Sequence, residues 1–202
     1  MKNKGLFITF EGIDGCGKTT QMNLLADYLK AKGQDVLITR EPGAIGLGEK
    51  IREILLNYNG EVSSNCEAFL FLADRAQHID IIVKPAIKAG KIVLCDRHTD
   101  STVAYQGWGR DVDLEQIKML NSLATSGLKP DLTFVFDIDV ETALSRVGKT
   151  KDRMESAGPG FFEKTSQGYL EIAKQEPHRV KVINSNDSIE NIFEQVKEYI
   201  EI

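Results

Sequence analysis

A glycine-rich segment near the amino terminus constrains this chain more than any other feature. It runs from Gly12 to Thr19, reads GIDGCGKT and matches the pattern G-x-x-x-x-G-K-[ST]. An apolar run precedes the segment, and an amphipathic helical pattern follows it. A strand, a tight turn and a helix in this order place a phosphate-binding turn at the start of the helix. The structural alternative, a glycine-rich turn that binds nothing, does not explain this context.

The residue types in the turn suit a nucleoside triphosphate. Glycines let the backbone wrap closely, so that N–H groups point at phosphate oxygens. Lys18 supplies a compact cation for the β- and γ-phosphates, and the Thr19 hydroxyl can coordinate Mg²⁺. We therefore predict ATP and Mg²⁺ as cofactors. The residues predicted to hold ATP are Gly12, Ile13, Asp14, Gly15, Cys16, Gly17, Lys18, Thr19 and Thr20.

The wider pattern predicts an α/β fold. Five short apolar runs, rich in Ile, Val, Phe and Leu, alternate with amphipathic helical patterns along the chain. Such alternation predicts parallel strands joined by crossover helices, and hence a three-layer α/β/α domain. The predicted strands are Leu6–Glu11, Val36–Arg40, Lys91–Asp96, Leu132–Ile138 and Val180–Asn184. Among the helical patterns, one buries Ile51, Ile54, Leu55 and Tyr58.

Size, charge and cysteine content exclude several classes of protein. The 202 residues suffice for one sizeable core, so we expect a single domain over residues 1–202. A formal net charge of −5 argues against a protein that coats nucleic acid. No apolar run approaches the ~18 residues of a membrane span, and no secretory signal is evident. The three cysteines are widely spaced, which fits neither a zinc site nor a disulfide framework and favours a reduced, cytoplasmic protein.

Nucleotide binding leaves three classes open: a GTPase switch, an ATPase and a small-molecule kinase. The N/T-K-x-D sequence with which a GTPase reads guanine is absent from the chain. A buried strand ends at Asp96, and Arg97 follows at once. A carboxylate at that strand end can hold Mg²⁺, so the predicted metal ligands are Thr19 and Asp96.

Further motifs make the chain resemble the bacterial thymidylate kinases over essentially its whole length. The motifs are FEGIDGCGKTT at 10–20, TREPG at 39–43, FLADR at 71–75, DRH at 96–98, AYQG at 104–107 and PDL at 130–132. The resemblance implies a P-loop nucleoside-monophosphate kinase with five parallel strands, usually a homodimer. It also implies the conversion of dTMP and ATP into dTDP and ADP, a step in dTTP synthesis.

The resemblance also implies the roles of site residues. Phe71 corresponds to the aromatic that stacks on thymine, and Arg75 lies one helical turn further on the same face. Thr102 and Gln106 complete base recognition, and Tyr105 crowds the sugar 2′ position. Asp14 and Glu41 resemble acids near the magnesium ion or the sugar 3′-OH. The implied substrate-binding set is Asp14, Arg40, Glu41, Pro42, Arg52, Phe71, Arg75, Arg97, Thr102, Tyr105 and Gln106.

A polar, glycine-rich stretch at about residues 146–160 is the expected lid. The resemblance implies that members without an arginine in the phosphate loop supply one from the lid, and Arg153 is predicted to be that residue, with Arg146 and Lys149 as alternatives. The predicted catalytic residues are therefore Lys18, Arg97 and Arg153. A further hypothesis is that Cys16, close to a helix start, is sensitive to oxidation.

Two other functions stay open at this point. One is a kinase of the same fold that acts on dUMP, dCMP or a deoxynucleoside. The other is a non-catalytic ATP-binding module. The partners expected in every catalytic case are small molecules, without nucleic-acid polymers or membranes.

Overall fold

A five-stranded, wholly parallel sheet forms the centre of the computed structural model, which describes residues 5–148 and 153–200. The strands are β1 (Leu6–Glu11), β2 (Val36–Arg40), β3 (Ile92–Asp96), β4 (Leu132–Asp137) and β5 (Val180–Asn184). Their order across the sheet is β2-β3-β1-β4-β5. The predicted strands are confirmed to within one residue at each end.

Helices connect the strands and cover the sheet. They are α1 (Lys18–Ala31), α2 (Leu47–Asn57), α3 (Ser64–His78), α4 (Lys84–Lys88), α5 (Thr99–Thr102), α6 (Leu114–Thr125), α7 (Val140–Arg146), α8 (Pro159–Gln175) and α9 (Ile189–Lys197). A π-helical turn, Ile79–Val83, joins α3 to α4, and a second one, Val103–Gly109, extends α5. A short 3₁₀ helix spans Glu155–Ala157. None of the helices in the described ranges is long and apolar enough to cross a membrane.

Successive residues of the central strands point to opposite faces of the sheet and enter two separate cores. Ile8 and Phe10 of β1 belong to the larger core, whereas Phe7 packs with Val93 in the smaller one. Both faces are therefore covered, which confirms the predicted three-layer α/β/α arrangement. The edge strands β2 and β5 are only partly buried, since each pairs on one side alone.

The predicted apolar faces of the helices are confirmed in part. The amphipathic helix predicted after the loop is α1, and its buried residues include Met22, Leu25, Ala26 and Leu29. In α2, however, only Ile51 and Leu55 of the predicted stripe are buried. Ile54 is 47% exposed, and Tyr58 is 54% exposed just beyond the helix end. The buried stripe is narrower than the apolar pattern because Ile54 and Tyr58 face solvent.

The register of the sheet brings the functional segments to one edge. Phe10 of β1 pairs with Asp96 of β3, and Arg40 of β2 pairs with the same Asp96. The segments that follow these three strands therefore begin at the same height, at the carboxyl ends of parallel strands. In open α/β sheets this is the edge where ligands bind.

Candidate active site

The phosphate loop connects β1 to α1 through backbone conformations that favour glycine. Gly12, Gly15 and Gly17 have φ angles of 139°, 84° and 89°. A Cβ atom on Gly15 would lie 2.2 Å from the carbonyl oxygen of Ala143, so α7 packs directly against the loop. Lys18 lies largely buried at the start of α1, with its Nζ atom 3.7 Å from Asp14 Oδ1. The loop thus has the tight glycine turn and the enclosed lysine expected of a phosphate cradle.

Cys16 is a buried thiol within this loop. Only 1% of the residue is exposed, and burial raises the pKa of the thiol despite the nearby Lys18. A protonated, enclosed thiol is a poor nucleophile. The hypothesis of an oxidation-sensitive Cys16 therefore loses its physical basis.

Thr19 and Asp96 adjoin each other at the mouth of the loop, as predicted for metal ligands. The Thr19 hydroxyl donates to Asp96 Oδ2 over 2.9 Å. Asp96 Oδ1 is buried and has no hydrogen-bond partner among the described residues. Hydroxyl and carboxylate oxygens are hard ligands that Mg²⁺ prefers, so this pair fits the ion.

Arg97 lies between the phosphate loop and a second cavity. Its Nη1 atom donates to the Gly12 carbonyl oxygen (3.0 Å), and its Nη2 atom donates to Asp14 Oδ1 (2.7 Å) and to the Tyr105 hydroxyl (3.1 Å). The backbone of Arg97 has a φ angle of 70°, which costs free energy in a residue other than glycine. The surrounding contacts hold this conformation, including a bond from the Arg97 amide to the Phe10 carbonyl (3.0 Å).

Arg97 and Asp14 shift each other's protonation equilibria. Burial alone raises the pKa of Asp14, but Arg97 and then Lys18 outweigh it and hold that pKa well below its usual range. Burial alone lowers the pKa of Arg97, but Asp14 and the neighbouring tyrosines raise it well above its ordinary value. Both side chains are therefore charged at neutral pH, in a partly dehydrated site.

The second cavity has a volume of about 80 Å³ and lies beside the phosphate loop. Ten of the predicted substrate-binding residues line this cavity, together with Ser101, Leu56 and Met154. Its lining residues are Asp14, Glu41, Pro42, Arg52, Leu56, Phe71, Arg75, Arg97, Ser101, Thr102, Tyr105, Gln106 and Met154. Every predicted substrate-binding residue except Arg40 therefore lines one cavity.

Arg75 is fully enclosed at the wall of this cavity. Its Nε atom donates to Glu41 Oε2 (2.7 Å), and its Nη1 atom donates to Thr102 Oγ1 and Asn121 Oδ1 (2.6 Å each). Its Nη2 atom donates once, to the His98 carbonyl oxygen at 2.8 Å. Four of its five N–H groups are thus used within the described residues, so that the fifth is available at the cavity wall.

Glu41 forms an ion pair with Arg75 and also contacts two histidines. The Glu41 Oε1 atom also contacts the Nδ1 atoms of His78 (2.8 Å) and His98 (3.0 Å). Burial alone raises the pKa of Glu41, but Arg75 and His98 outweigh it and hold the pKa well below its usual range. His98 is fully buried and its ring packs edge-on against Phe7, so it acts as a structural neighbour.

The rim of the site carries two more predicted arginines. Arg52 donates from Nη1 to the Pro42 carbonyl oxygen (3.0 Å), after the cis peptide bond between Glu41 and Pro42. Arg40 is exposed, donates to the Gly43 carbonyl oxygen and lines the adjoining cleft that contains Lys18 and Asp96. Both guanidinium groups thus border the space between the loop and the cavity.

The structure separates the predicted lid arginines. Arg153 packs against α2 and α3: its Nη1 atom donates to Glu67 (2.6 Å) and its Nε atom donates to the Leu55 carbonyl oxygen (2.9 Å). Arg146, at the end of α7, has its Nη1 atom 3.5 Å from the Gly15 carbonyl oxygen. Lys149 lies outside the described residues. The arginine beside the loop is therefore Arg146, whereas Arg153 contacts Glu67. Which of the two acts on the transferred phosphate stays a prediction.

Sequence reasoning missed a buried hydrogen-bonded cluster around Glu11, which contacts Arg97. Glu11 accepts hydrogen bonds from the His98 amide (2.7 Å), the Ser101 hydroxyl (2.6 Å) and the Tyr169 hydroxyl (3.1 Å). Arg97 Nη1 in turn lies 3.3 Å from Ser101 Oγ and 3.4 Å from the Tyr169 hydroxyl. Only the position of Glu11, directly before the loop, signalled it in the sequence.

This geometry defines a P-loop phosphotransferase: a triphosphate cradle, a magnesium-compatible oxygen pair and a separate cavity lined by arginines. The comparison with known proteins specifies the family. The thymidylate kinase family model matches residues 10–196. The chain belongs to the thymidylate kinase family.

Individual relatives agree over nearly their full length. The chain is 51% identical over 189 residues to thymidylate kinase from Sulfurihydrogenibium sp., covering 93% of each chain. It is 44% identical over 206 residues to thymidylate kinase from Desulfovibrio desulfuricans, covering 97% of this chain and 95% of that one. The crystal structure of thymidylate kinase from Ehrlichia chaffeensis superposes with a TM-score of 0.80 at 40% identity, covering 96% and 97% of the two chains.

Glu11 provides a test of the buried cluster. Burial and then the nearby Asp100 raise the pKa of Glu11 to about 7. A raised pKa means that the folded protein binds the proton more tightly than the unfolded chain. This stabilisation is complete below the ordinary pKa of about 4.5 and is lost as pH rises through about 7. Relative to Glu11→Gln, wild type should lose a few kcal/mol between about pH 4 and about pH 8, at about 1.4 kcal/mol per pKa unit.

Denaturant unfolding of both proteins across this pH range measures the difference. Glu163→Gln, on an exposed face of α8, serves as the control and should follow wild type at every pH. Parallel stability curves for wild type and Glu11→Gln would contradict the prediction.

Proposed function

We propose that this chain transfers the terminal phosphoryl group of ATP to the phosphate of dTMP, giving dTDP and ADP. One observation carries the proposal: the Arg97 guanidinium contacts both the phosphate loop and the wall of the arginine-lined cavity. A cation in that position can pair with donor and acceptor phosphates together. Family membership supports dTMP as the acceptor.

The phosphate loop supplies the donor side. Backbone N–H groups and Lys18 hold the phosphates of ATP, as in other P-loop enzymes. Thr19 and Asp96 would hold Mg²⁺, which when bound neutralises the charge of the phosphates. The Asp14 carboxylate pairs with Lys18 and Arg97, so it competes with the phosphates for these two side chains. It also keeps Arg97 oriented toward the loop.

The second cavity supplies the acceptor side. Phe71 offers a half-exposed aromatic face for stacking on the base. Arg75, Thr102 and Gln106 offer hydrogen bonds along the base edge, and Tyr105 packs where the sugar would lie. Arg40 and Arg52 at the rim would bind the acceptor phosphate, because planar guanidinium groups match phosphate oxygens well.

No general base is needed in this reaction. The second pKa of a phosphomonoester is near ~6, so the attacking phosphate is largely dianionic at neutral pH. The protein's task is to bring two anions into line and to compensate their charge. Lys18 and Arg97 do so from fixed positions, and Arg146 is the proposed third cation since it lies beside Gly15.

The proposed assembly is a homodimer in the cytoplasm. Three large apolar side chains on neighbouring helices are exposed: Phe69 on α3 (57%) and Met119 and Leu123 on α6 (65% and 77%). A second copy of this chain would bury such a patch. Free thiols at Cys16, Cys66 and Cys95 suit a reducing compartment, and a dTMP kinase needs only small-molecule substrates.

An acceptor panel tests the proposed activity. ADP release measured with dTMP, dUMP, dCMP, AMP, UMP and thymidine should give the highest kcat/KM for dTMP. A higher value for another nucleotide would assign a different kinase activity. No turnover with any acceptor would leave an ATP-binding module.

Arginine variants test the charge compensation. Arg97→Ala should lower kcat by roughly 10³-fold or more, the size of effect that a transition-state arginine has in related chemistry. Arg146→Ala should lower kcat by a smaller factor, because its side chain is exposed. Lys174→Ala, which removes an exposed ion pair on α8, is the control and should leave kcat unchanged. If Arg146→Ala turns over normally and Arg153→Ala does not, Arg153 is the lid arginine of the transferred phosphate.

A charge introduced into the apolar patch tests the dimer. Leu123→Glu should shift the mass in solution from dimer to monomer, since a buried unpaired carboxylate opposes association. Ile189 on α9 is 53% exposed and lies outside the patch, so Ile189→Glu should leave the mass in solution unchanged. Light scattering after size-exclusion chromatography gives both values, and a Leu123→Glu dimer would contradict this interface.

A further inference from the structure

We propose that Glu67 is a positioning residue that links Arg153 and Met154 to the side-chain amide of Gln106, and thereby selects the base that the acceptor cavity accepts. The inference rests on the proposed use of a nucleoside monophosphate as acceptor. Sequence motifs assign no role to Glu67, and the structure places it at the junction of three segments.

Glu67 is a buried carboxylate in the first turn of α3, with 1% exposure. Its Oε2 atom accepts a short hydrogen bond from Arg153 Nη1 (2.6 Å), and its Oε1 atom accepts from Gln106 Nε2 (2.9 Å). Arg110 Nε adds a longer contact to Oε1 (3.4 Å). One carboxylate therefore joins the segment that follows residue 152 to the wall of the acceptor cavity.

Arg153 is anchored at several points. Its backbone amide donates to the Leu56 carbonyl oxygen (3.1 Å), and its Nε atom donates to the Leu55 carbonyl oxygen (2.9 Å). These bonds join it to the end of α2, so that the next residue, Met154, is 5% exposed and lines the acceptor cavity with Leu56 and Phe71. The Glu67–Arg153 pair thus holds an apolar side chain against the space proposed for the base.

The pair is strongly constrained by its burial. An ionised carboxylate that loses its partner inside a protein costs several kcal/mol. Without Arg153, the Oε2 atom of Glu67 has no other partner within the described part of the chain. Arg153 therefore supplies the partner of Oε2, while Arg110 and Gln106 contact Oε1.

The same carboxylate fixes the direction of the Gln106 amide. A carboxylate only accepts hydrogen bonds, so the amide nitrogen must face Glu67. Gln106 then offers its carbonyl oxygen, an acceptor, to the ligand. Thymine and uracil carry an N–H donor at N3, whereas the N3 of cytosine is an acceptor. The arrangement favours thymine and uracil and disfavours cytosine.

Two single variants and their double variant test the coupling in the full-length protein. Glu67→Gln and Arg153→Ala should each raise the KM for dTMP roughly tenfold, the size of one charge-assisted hydrogen bond. The KM for ATP and kcat should stay within about twofold of wild type. Because both changes break one contact, the double variant should resemble either single variant. Glu67→Gln should also narrow the preference for dTMP over dCMP, since a glutamine at 67 can present either end of its amide to Gln106.

Lys164→Ala is the matched control, because it removes an equal charge from an exposed pair with Asp111 and touches none of these groups. It should leave both KM values unchanged. Arg153→Lys keeps the charge but not the forked geometry and should lie between wild type and Arg153→Ala.

Equilibrium binding of dTMP separates this inference from the proposed function. Failure of wild type to bind dTMP would overturn the proposed acceptor. Equal dTMP binding by wild type and all variants, or independent and additive effects of the two single changes, would overturn the role of Glu67 alone. A loss confined to kcat in Arg153→Ala would assign that arginine to the transferred phosphate instead.

Discussion

The site depends on the register of the sheet, in which Phe10 of β1 pairs with Asp96 of β3. Since β1 and β3 end at the same height, the phosphate loop that follows one strand meets Arg97, which follows the other. Arg40 pairs with Asp96 as well, so Glu41 begins beside them. A slip of one residue in this register would turn every strand side chain to the opposite face and separate loop, carboxylate and guanidinium.

The site is assembled from buried or partly buried arginines that each pair with a carboxylate. The pairs are Arg97–Asp14, Arg75–Glu41 and Arg153–Glu67. Removing charges from water opposes folding, so such pairs contribute geometry more than stability. Each guanidinium is held in a single orientation by several acceptors, as Arg75 shows with four. The acidic average composition of the chain therefore conceals a cationic site with ordered donors.

Local patterns predicted much of this molecule. The five strands and the loop from Gly12 to Thr19 follow from apolar runs and from one motif, because each depends on neighbours in sequence. The positions of Arg153 and Tyr169 do not follow from local patterns, because their partners are distant in sequence. Arg153 contacts Glu67 across 86 residues, and Tyr169 contacts Glu11 across 158. Resemblance could name an arginine of the lid, but burial and available acceptors decide where its guanidinium lies.

In the proposed reaction the Asp14 carboxylate takes the place of a phosphate at two cations. It lies 2.7 Å from Arg97 and 3.7 Å from Lys18, the two cations proposed to bind phosphate. Phosphate binding then replaces one anion, the Asp14 carboxylate, by another at cations that are already paired. In the proposed reaction such an exchange lowers the affinity for any single phosphate, and it favours the release of both diphosphate products.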